Sequence, residues 1–346
     1  MVFKKLITCE KGGNQMRAKT LLLVAVAICL AVSFSVPGQA AEKEKWVVFS
    51  VKNIVNPFWK ACWVGAQRAA AEYQGIKLTY TSPAKSDNIA EQTRQMEDII
   101  LKKPDAIVFV PVDYMAMVPT VEKMNKAGIP IFNYCNKVGG GKYEIYVGSD
   151  DEKLAYEIAK FVFKADGEKG NVIIEDGVPG ASTAQARHRG FMKAIKETPG
   201  IKLLTAQPAN YNRLMGMQVM ENLLQRFPKI DIVLAANDEQ AQGCVEAIDA
   251  AGRLKDIKVT GVDANPDAAQ SILDGRMFAS ADYAGLVQGY LATKAAIEYL
   301  HGNKIPKQII LPVVIVSKAN AKKWTEPPEK KPLPKWDDIL KHDATW

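Results

Sequence analysis

From Lys45 onward, short runs of β-branched and aromatic residues alternate with longer segments whose apolar positions recur every three or four residues. The short runs predict strands over residues 46–51, 77–81, 106–111, 129–134 and 144–147. A second series covers 171–175, 202–206, 230–235, 258–262, 278–281 and 309–316. Apolar runs of this length, separated by helices, are the pattern of parallel strands buried on both faces. Repeated βα alternation predicts a doubly wound α/β fold.

The helices between them have readable ends. Asn56-Pro57 sets a capping side chain before a proline at the first helical position. Trp59, Trp63, Ala66, Ala70 and Tyr73 then follow at helical spacing, and Gly75 ends the segment. The next helix starts near Asp87-Asn88, is expected to bury Ile89, Met96 and Ile99, and stops before Pro104. Asp113 and Pro266 mark further helix starts. Each series holds about five βα units, so two similar lobes are expected rather than one long sheet, with the break near Val147-Gly148-Ser149-Asp150. Beyond Lys318 the pattern stops: Pro327, Pro328, Pro332 and Pro334 among lysines predict a largely extended tail carrying Trp324, Trp336 and Trp346.

The N-terminus changes the charge picture. Residues 1–40 carry Lys4, Lys5, Lys11, Arg17 and Lys19 against a single acid, Glu10. A 16-residue apolar run at 21–36 follows, then Pro37-Gly38-Gln39-Ala40. This reads as a secretory signal peptide cleaved near Ala40, and the run is short of the roughly 20 residues of a spanning helix. Met16 is an alternative start, since Arg17 and Lys19 suffice as the basic region. Export without an anchor predicts a periplasmic protein. Removing 1–40 takes the basic residues from 45 to 40 and the acidic ones from 38 to 37, which lowers the net charge from +7 to +3 over 306 residues. No clustered basic face is left to argue for nucleic acid.

Candidate chemistry is sparse in the usual enzyme currencies. Cys62, Cys135 and Cys244 remain after cleavage, in no metal-ligand spacing, and their odd number excludes a full disulfide framework. His188, His301 and His342 are scattered. There is no G-x-S-x-G elbow, Walker loop or G-x-G-x-x-G. Gly139-Gly140-Gly141-Lys142 reads as a surface turn, and Asp150-Asp151-Glu152 as the acidic start of a helix. No enzyme, metal or cofactor is implied.

In open α/β sheets, ligands bind beyond the carboxyl ends of the strands. The residues there are Asn56, Phe58 and Trp59, then Asp113, then Asn133 to Asn136 with Cys135 among them. The second series supplies Arg187, Tyr211, Asn237-Asp238, Asp263 and Asp282-Tyr283. Amides, carboxylates and a guanidinium hydrogen-bond hydroxyls from fixed directions, while flat aromatic faces cover the C–H surface of a sugar ring. Each residue also has a structural reading: Asn56 and Asp113 as helix caps, Phe58, Trp59 and Tyr211 as packing, Arg187 as half of an ion pair, Asp263 as a turn residue. Their shared position after strand ends is what singles them out as a set.

An ordered series of motifs then resembles the ribose-binding branch of the periplasmic sugar-binding family, the substrate-binding proteins of ABC transporters. The matching segments are Asn56-Pro57-Phe58-Trp59, Pro111-Val112-Asp113, Ala127-Gly128-Ile129-Pro130, Val147-Gly148-Ser149-Asp150 and Arg187-His188-Arg189-Gly190-Phe191. Gln207-Pro208-Ala209-Asn210-Tyr211, Ala236-Asn237-Asp238-Glu239, Gly261-Val262-Asp263 and Asp274-Gly275 continue it, collinear over about 45–317. The resemblance implies the type I periplasmic binding fold. It places a first lobe at 45–149 with 284–314, a second at 150–283, and the final crossing with a C-terminal extension at 315–346. The three crossings form a hinge near 148–150, 281–284 and 312–316, closing over the ligand. It also implies ligand contacts at Asn56, Phe58, Trp59, Arg187, Tyr211, Asn237 and Asp263.

Departures from the family pattern matter as much. Cys135-Asn136 stands where ribose binders have an Asp-Arg pair, Val110 where they have an asparagine, and Tyr283, beside Asp282, where they have a glutamine. The expected ligand is therefore a sugar or polyol other than ribose, smaller, less hydroxylated or partly apolar. The expected partners are an inner-membrane ABC permease and, alternatively or in addition, a chemoreceptor or sensor histidine kinase reading the closed form. The resemblance suits a monomer. A transcription regulator of the same fold is disfavoured by the export signal in place of a helix-turn-helix.

Overall fold

The computed structural model describes residues 44–341, and the segment at 1–40 expected to direct export lies outside them. Two six-stranded sheets, each flanked by helices, make up the described chain. The first contains β1 (Lys45–Ser50), β2 (Ile76–Thr81), β3 (Ala106–Phe109), β4 (Ile131–Tyr134), β5 (Ile145–Ser149) and, from much later, β11 (Gln308–Leu311). The second contains β6 (Lys169–Asp176), β7 (Gly200–Pro208), β8 (Ile232–Ala235), β9 (Lys258–Asp263), β10 (Ala279–Asp282) and β12 (Val314–Ser317). Their orders are β11-β5-β4-β3-β1-β2 and β12-β10-β9-β8-β6-β7.

Every pairing in the first sheet is parallel. Its strands β3, β4 and β5 are buried at every position, which is why they read as continuous apolar runs. The second sheet is parallel except at one edge, where β12 runs antiparallel to β10. The chain passes between the sheets three times: from β5 into α4 (Asp151–Ala165), from β10 into α9 (Gly285–Leu300), and from β11 to β12.

The single strand expected over 309–316 is therefore two strands in different sheets. Pro312, which has no N–H to give to a ladder, sits in the gap where the chain changes sheet.

The helix starts follow their capping chemistry. Asn56 Oδ1 accepts the Phe58 N–H at 2.9 Å at the head of α1 (Pro57–Ala70). Asn88 Oδ1 does the same for Glu91 in α2 (Ile89–Leu101), where Met96 is fully buried but Ile89 is 41% exposed, contrary to expectation. Asp113 Oδ1 accepts the N–H groups of Met115 and Ala116, capping a turn rather than a helix, and α3 (Val118–Lys126) starts only after it. In the second lobe, α4 packs on α5 (Ser182–Lys196) and α6 (Arg213–Arg226) on α7 (Asp238–Ala250), with α8 (Pro266–Leu273) opening on Pro266 as expected.

The tail corrects another expectation. Rather than staying extended, it forms 3-10 turns at Ala321–Trp324 and Pro328–Lys330 and a short helix α10 (Trp336–Lys341), with Trp336 and Ile339 buried.

Candidate functional site

The carboxyl ends of β1 and β4 in one lobe face those of β6, β8 and β9 in the other across a polar and aromatic cleft. A void of about 30 Å³ remains at its centre. The lobes touch beside it: the Tyr114 N–H donates to Gly180 O at 2.8 Å, and the Lys137 N–H to Ser182 Oγ at 2.9 Å. Among the residues singled out from sequence, Asn56, Phe58, Trp59, Cys135, Asn136, Arg187, Tyr211, Asn237, Asp263 and Tyr283 all line this void.

The first-lobe wall is built on α1 and the β4 turn. Asn56 caps α1, and its own N–H is held by Asn53 Oδ1 at 3.0 Å. Asn56 thus caps the helix and lines the void at once. Phe58 and Trp59 pack edge to face with ring centroids 4.9 Å apart, and Phe58 also meets Tyr283 at 5.5 Å. Cys135 adopts a left-handed backbone (φ 59°), which turns the chain sharply after β4. Its N–H donates to Val147 O, and its thiol points to Asn136 Oδ1 at 3.3 Å. Burial, reinforced by Asp151, pushes that thiol upward, so it stays neutral. Val110, the third first-lobe departure, is fully buried in the core and does not reach the void.

The second-lobe wall centres on Arg187. Its Nε donates to Asp151 Oδ1 at 2.9 Å and its Nη1 to Ala236 O at 2.6 Å, while its guanidinium lies 4.4 Å from the centre of the Tyr283 ring. The Tyr283 hydroxyl donates to the other Asp151 oxygen at 2.9 Å. Burial raises Asp151 above the usual carboxylate range, and the opposing Arg187 charge pulls it back. Tyr211, also left-handed (φ 57°), is fixed by a hydroxyl contact with Thr183 at 2.9 Å. Asn237 caps α7 by accepting the Gln240 N–H. Asp263 has a strained φ of 122° at the end of β9, and burial drives its carboxyl upward against the pull of Arg187.

Asp282 is placed elsewhere. Its carboxylate accepts the Ala284 N–H at 2.8 Å and the Trp324 indole N–H at 2.9 Å, outside the void. β10 ends at Asp282, whose carboxylate is turned to Trp324, and Tyr283 follows the strand into the cleft.

Sequence reasoning missed Lys52, Asn53, Asp87 and Thr183, which also line the void. Lys52 stands two residues beyond β1, where a ligand contact is expected, but a lysine reads as surface. It is 2% exposed because Asp87, from the distant β2–α2 loop, comes within 2.7 Å of its ammonium. Cys62, Cys135 and Cys244 are each unpaired and buried. Among the described residues no group of three or more His, Cys, Asp or Glu side chains is arranged to hold a metal ion, and no helix is long and apolar enough to cross a membrane.

Residues 47–304 match the periplasmic binding protein domain family. The ribose import binding protein of Bacillus subtilis (strain 168) is 34% identical over 305 residues, 88% of this chain and 98% of that protein. Two solved structures share the architecture. An ABC transporter periplasmic solute binding protein from Actinobacillus succinogenes 130z with bound D-allose is 31% identical with a TM-score of 0.76, covering 80% of this chain and 99% of that one. An ABC transporter solute binding protein from Bacillus halodurans C-125 with bound myo-inositol is 28% identical with a TM-score of 0.78, covering 83% and 99%.

Proposed function

Because this chain belongs to the periplasmic binding protein family, we propose that it is the solute-binding subunit of an ABC importer. It captures a small polar ligand (a monosaccharide, polyol or related compound other than ribose) by closing two lobes over it. The lobes are 45–149 with 284–314, and 150–283, and the three passages between the sheets act as the hinge. A ligand touching both walls binds the closed state better and shifts the population toward it. Residues 1–40 direct the protein to the periplasm, where the closed form is read by a membrane permease.

The observation that carries this reading is the composition of the cleft wall. Stacking rings (Phe58, Trp59, Tyr211, Tyr283) alternate with polar groups that approach from fixed directions (Asn56, Arg187, Asn237, Asp263). Relatives with bound D-allose and myo-inositol support the ligand class. The replacement of charged first-lobe groups by Cys135 and Asn136 speaks against ribose.

Thermal unfolding of the protein from Ala41 onward, against aldoses, alditols, inositols and sugar acids, tests the proposal. At a ligand concentration one hundred times Kd the stabilisation is about 2.7 kcal/mol. Asp263→Asn keeps the shape of the site while changing its acceptor, and is expected to lower affinity about tenfold or more without lowering the unfolding temperature of the free protein. Stabilisation only by phosphorylated, peptidic or aromatic compounds overturns the ligand class.

A further inference from the structure

The charged groups around the cleft are unevenly committed. Arg187 spends Nε on Asp151 and Nη1 on Ala236 O, so its charge is matched inside its own lobe. Lys52 differs. Its ammonium meets Asp87 Oδ1 at 2.7 Å, one acceptor for three donors. The ammonium also lies 5.7 Å from the centre of the Tyr211 ring, on the opposite wall. An ammonium has three donors, and a buried one without acceptors is costly.

Asn136 adds to the same imbalance. The residue is 3% exposed, its Oδ1 faces the Cys135 thiol, and its Nδ2 has no partner. The first-lobe wall thus offers donors that lack acceptors, and its one carboxylate, Asp87, is already occupied by Lys52. On the second-lobe wall Asp263 is the carboxyl engaged by an amide, Asn56, rather than by an ion pair. Burial keeps it from ionising freely, so it opposes a nearby anion little and suits a hydroxyl. A neutral polyol offers hydroxyl groups that donate as well as accept, whereas the remaining Lys52 donors and the Asn136 amide call for acceptors alone. A molecule with an anionic acceptor at one end and hydroxyls at the other matches both walls.

We propose that the ligand is a short-chain sugar acid, its carboxylate held by Lys52 and the Asn136 amide and its hydroxyls turned toward Asp263, and that Lys52 determines this specificity. The inference rests on the sugar-class reading above and narrows it. The void between the walls measures only about 30 Å³, so the lobes part least to admit a compact molecule.

Matched pairs differing only at one end separate the ideas: D-erythronate against erythritol, and D-ribonate against ribitol, titrated calorimetrically into the protein from Ala41 onward. The acid of at least one pair is expected to bind ten times tighter or more than its alditol, with affinity falling as salt rises. Lys52→Gln keeps a donor but removes the charge, and is expected to cost the acid at least tenfold more than it costs the alditol. Because Lys52→Gln strands Asp87, the double variant Lys52→Gln with Asp87→Asn provides the same comparison with no buried unpaired charge. If the alditol or a neutral aldose binds as tightly as the acid, or if the acid binds both variants as it binds the wild type, this inference falls while the sugar-class reading stands. If no acid, alditol or aldose binds, both fall together.

Discussion

Glu175, on β6, is fully buried, and neither of its carboxylate oxygens makes an aligned hydrogen bond. Burial raises its pKa from 4.5 to about 8. Between those values the unfolded chain has released a proton that the folded protein keeps. The folded state therefore binds more protons, and stability falls as pH rises from about 4.5 to about 8. Asp151 and Asp176, raised by burial as well, act in the same direction. Asp238 and Asp263 are raised too, and Glu175→Gln removes one of these contributions while keeping the side chain's shape. Urea unfolding should find it close to wild type at pH 5 and more stable by about 1–3 kcal/mol at pH 8; equal pH slopes in the two proteins would contradict this account. At this scale the sequence was a partial guide. Asn56, Arg187 and Asp263 are legible because they follow strand ends, where such folds gather ligand groups. Lys52 is not, because its burial depends on Asp87, thirty-five residues away in a loop whose path no local pattern specifies.

Among the elements, α1 and α9 make the closest approach. A Cβ on Gly65 would lie 2.0 Å from Leu286 O, and one on Gly289 would lie 1.9 Å from Cys62 O, so the two backbones are in direct contact. Phe58 and Trp59 ride on the first turn of α1, and α9 starts two residues after Tyr283. Spacing between these helices is thereby transmitted to the aromatic wall of the cleft. Gly65→Ala or Gly289→Ala forces the helices apart, which costs about 1–3 kcal/mol or more in a packed interior. Calorimetry should show a lower unfolding temperature and weaker ligand binding for both, whereas Lys60→Ala on the exposed face of α1 should change neither. Helical spacing in the sequence located α1 and its buried stripe. It could not give the burial of Ile89, because periodicity says which face is apolar and not how far the sheet beneath it extends. The apolar run over 309–316 failed for a related reason: it records that both halves are buried, not that Pro312 divides them between two sheets.

Over the whole molecule, the tail ties the two lobes together in addition to the three crossings. Ala321 and Trp324 pack into the second lobe's own hydrophobic cluster, and the Trp324 indole holds Asp282 at the proposed hinge. Farther on, Lys331 O accepts a 2.7 Å hydrogen bond from Arg68 of α1, and Trp336 and Ile339 join the largest hydrophobic cluster. Lysine and proline content alone suggested an extended segment. What composition does not convey is that a few apolar side chains suffice to anchor such a chain, since fully burying one large apolar side chain is worth about 1.5–3 kcal/mol. A segment attached on both sides of a hinge resists opening, and a ligand's apparent affinity scales with the fraction of molecules already competent to hold it. Ending the chain after Lys318 should therefore lower the unfolding temperature, increase the ligand-free radius of gyration in solution scattering, and weaken ligand binding. Trp324→Phe keeps the ring but deletes its hydrogen bond to Asp282, and should show the same changes at a cost of about 1 kcal/mol. A truncated protein that scatters and binds as the full chain does would show that the strap has no hold on the hinge.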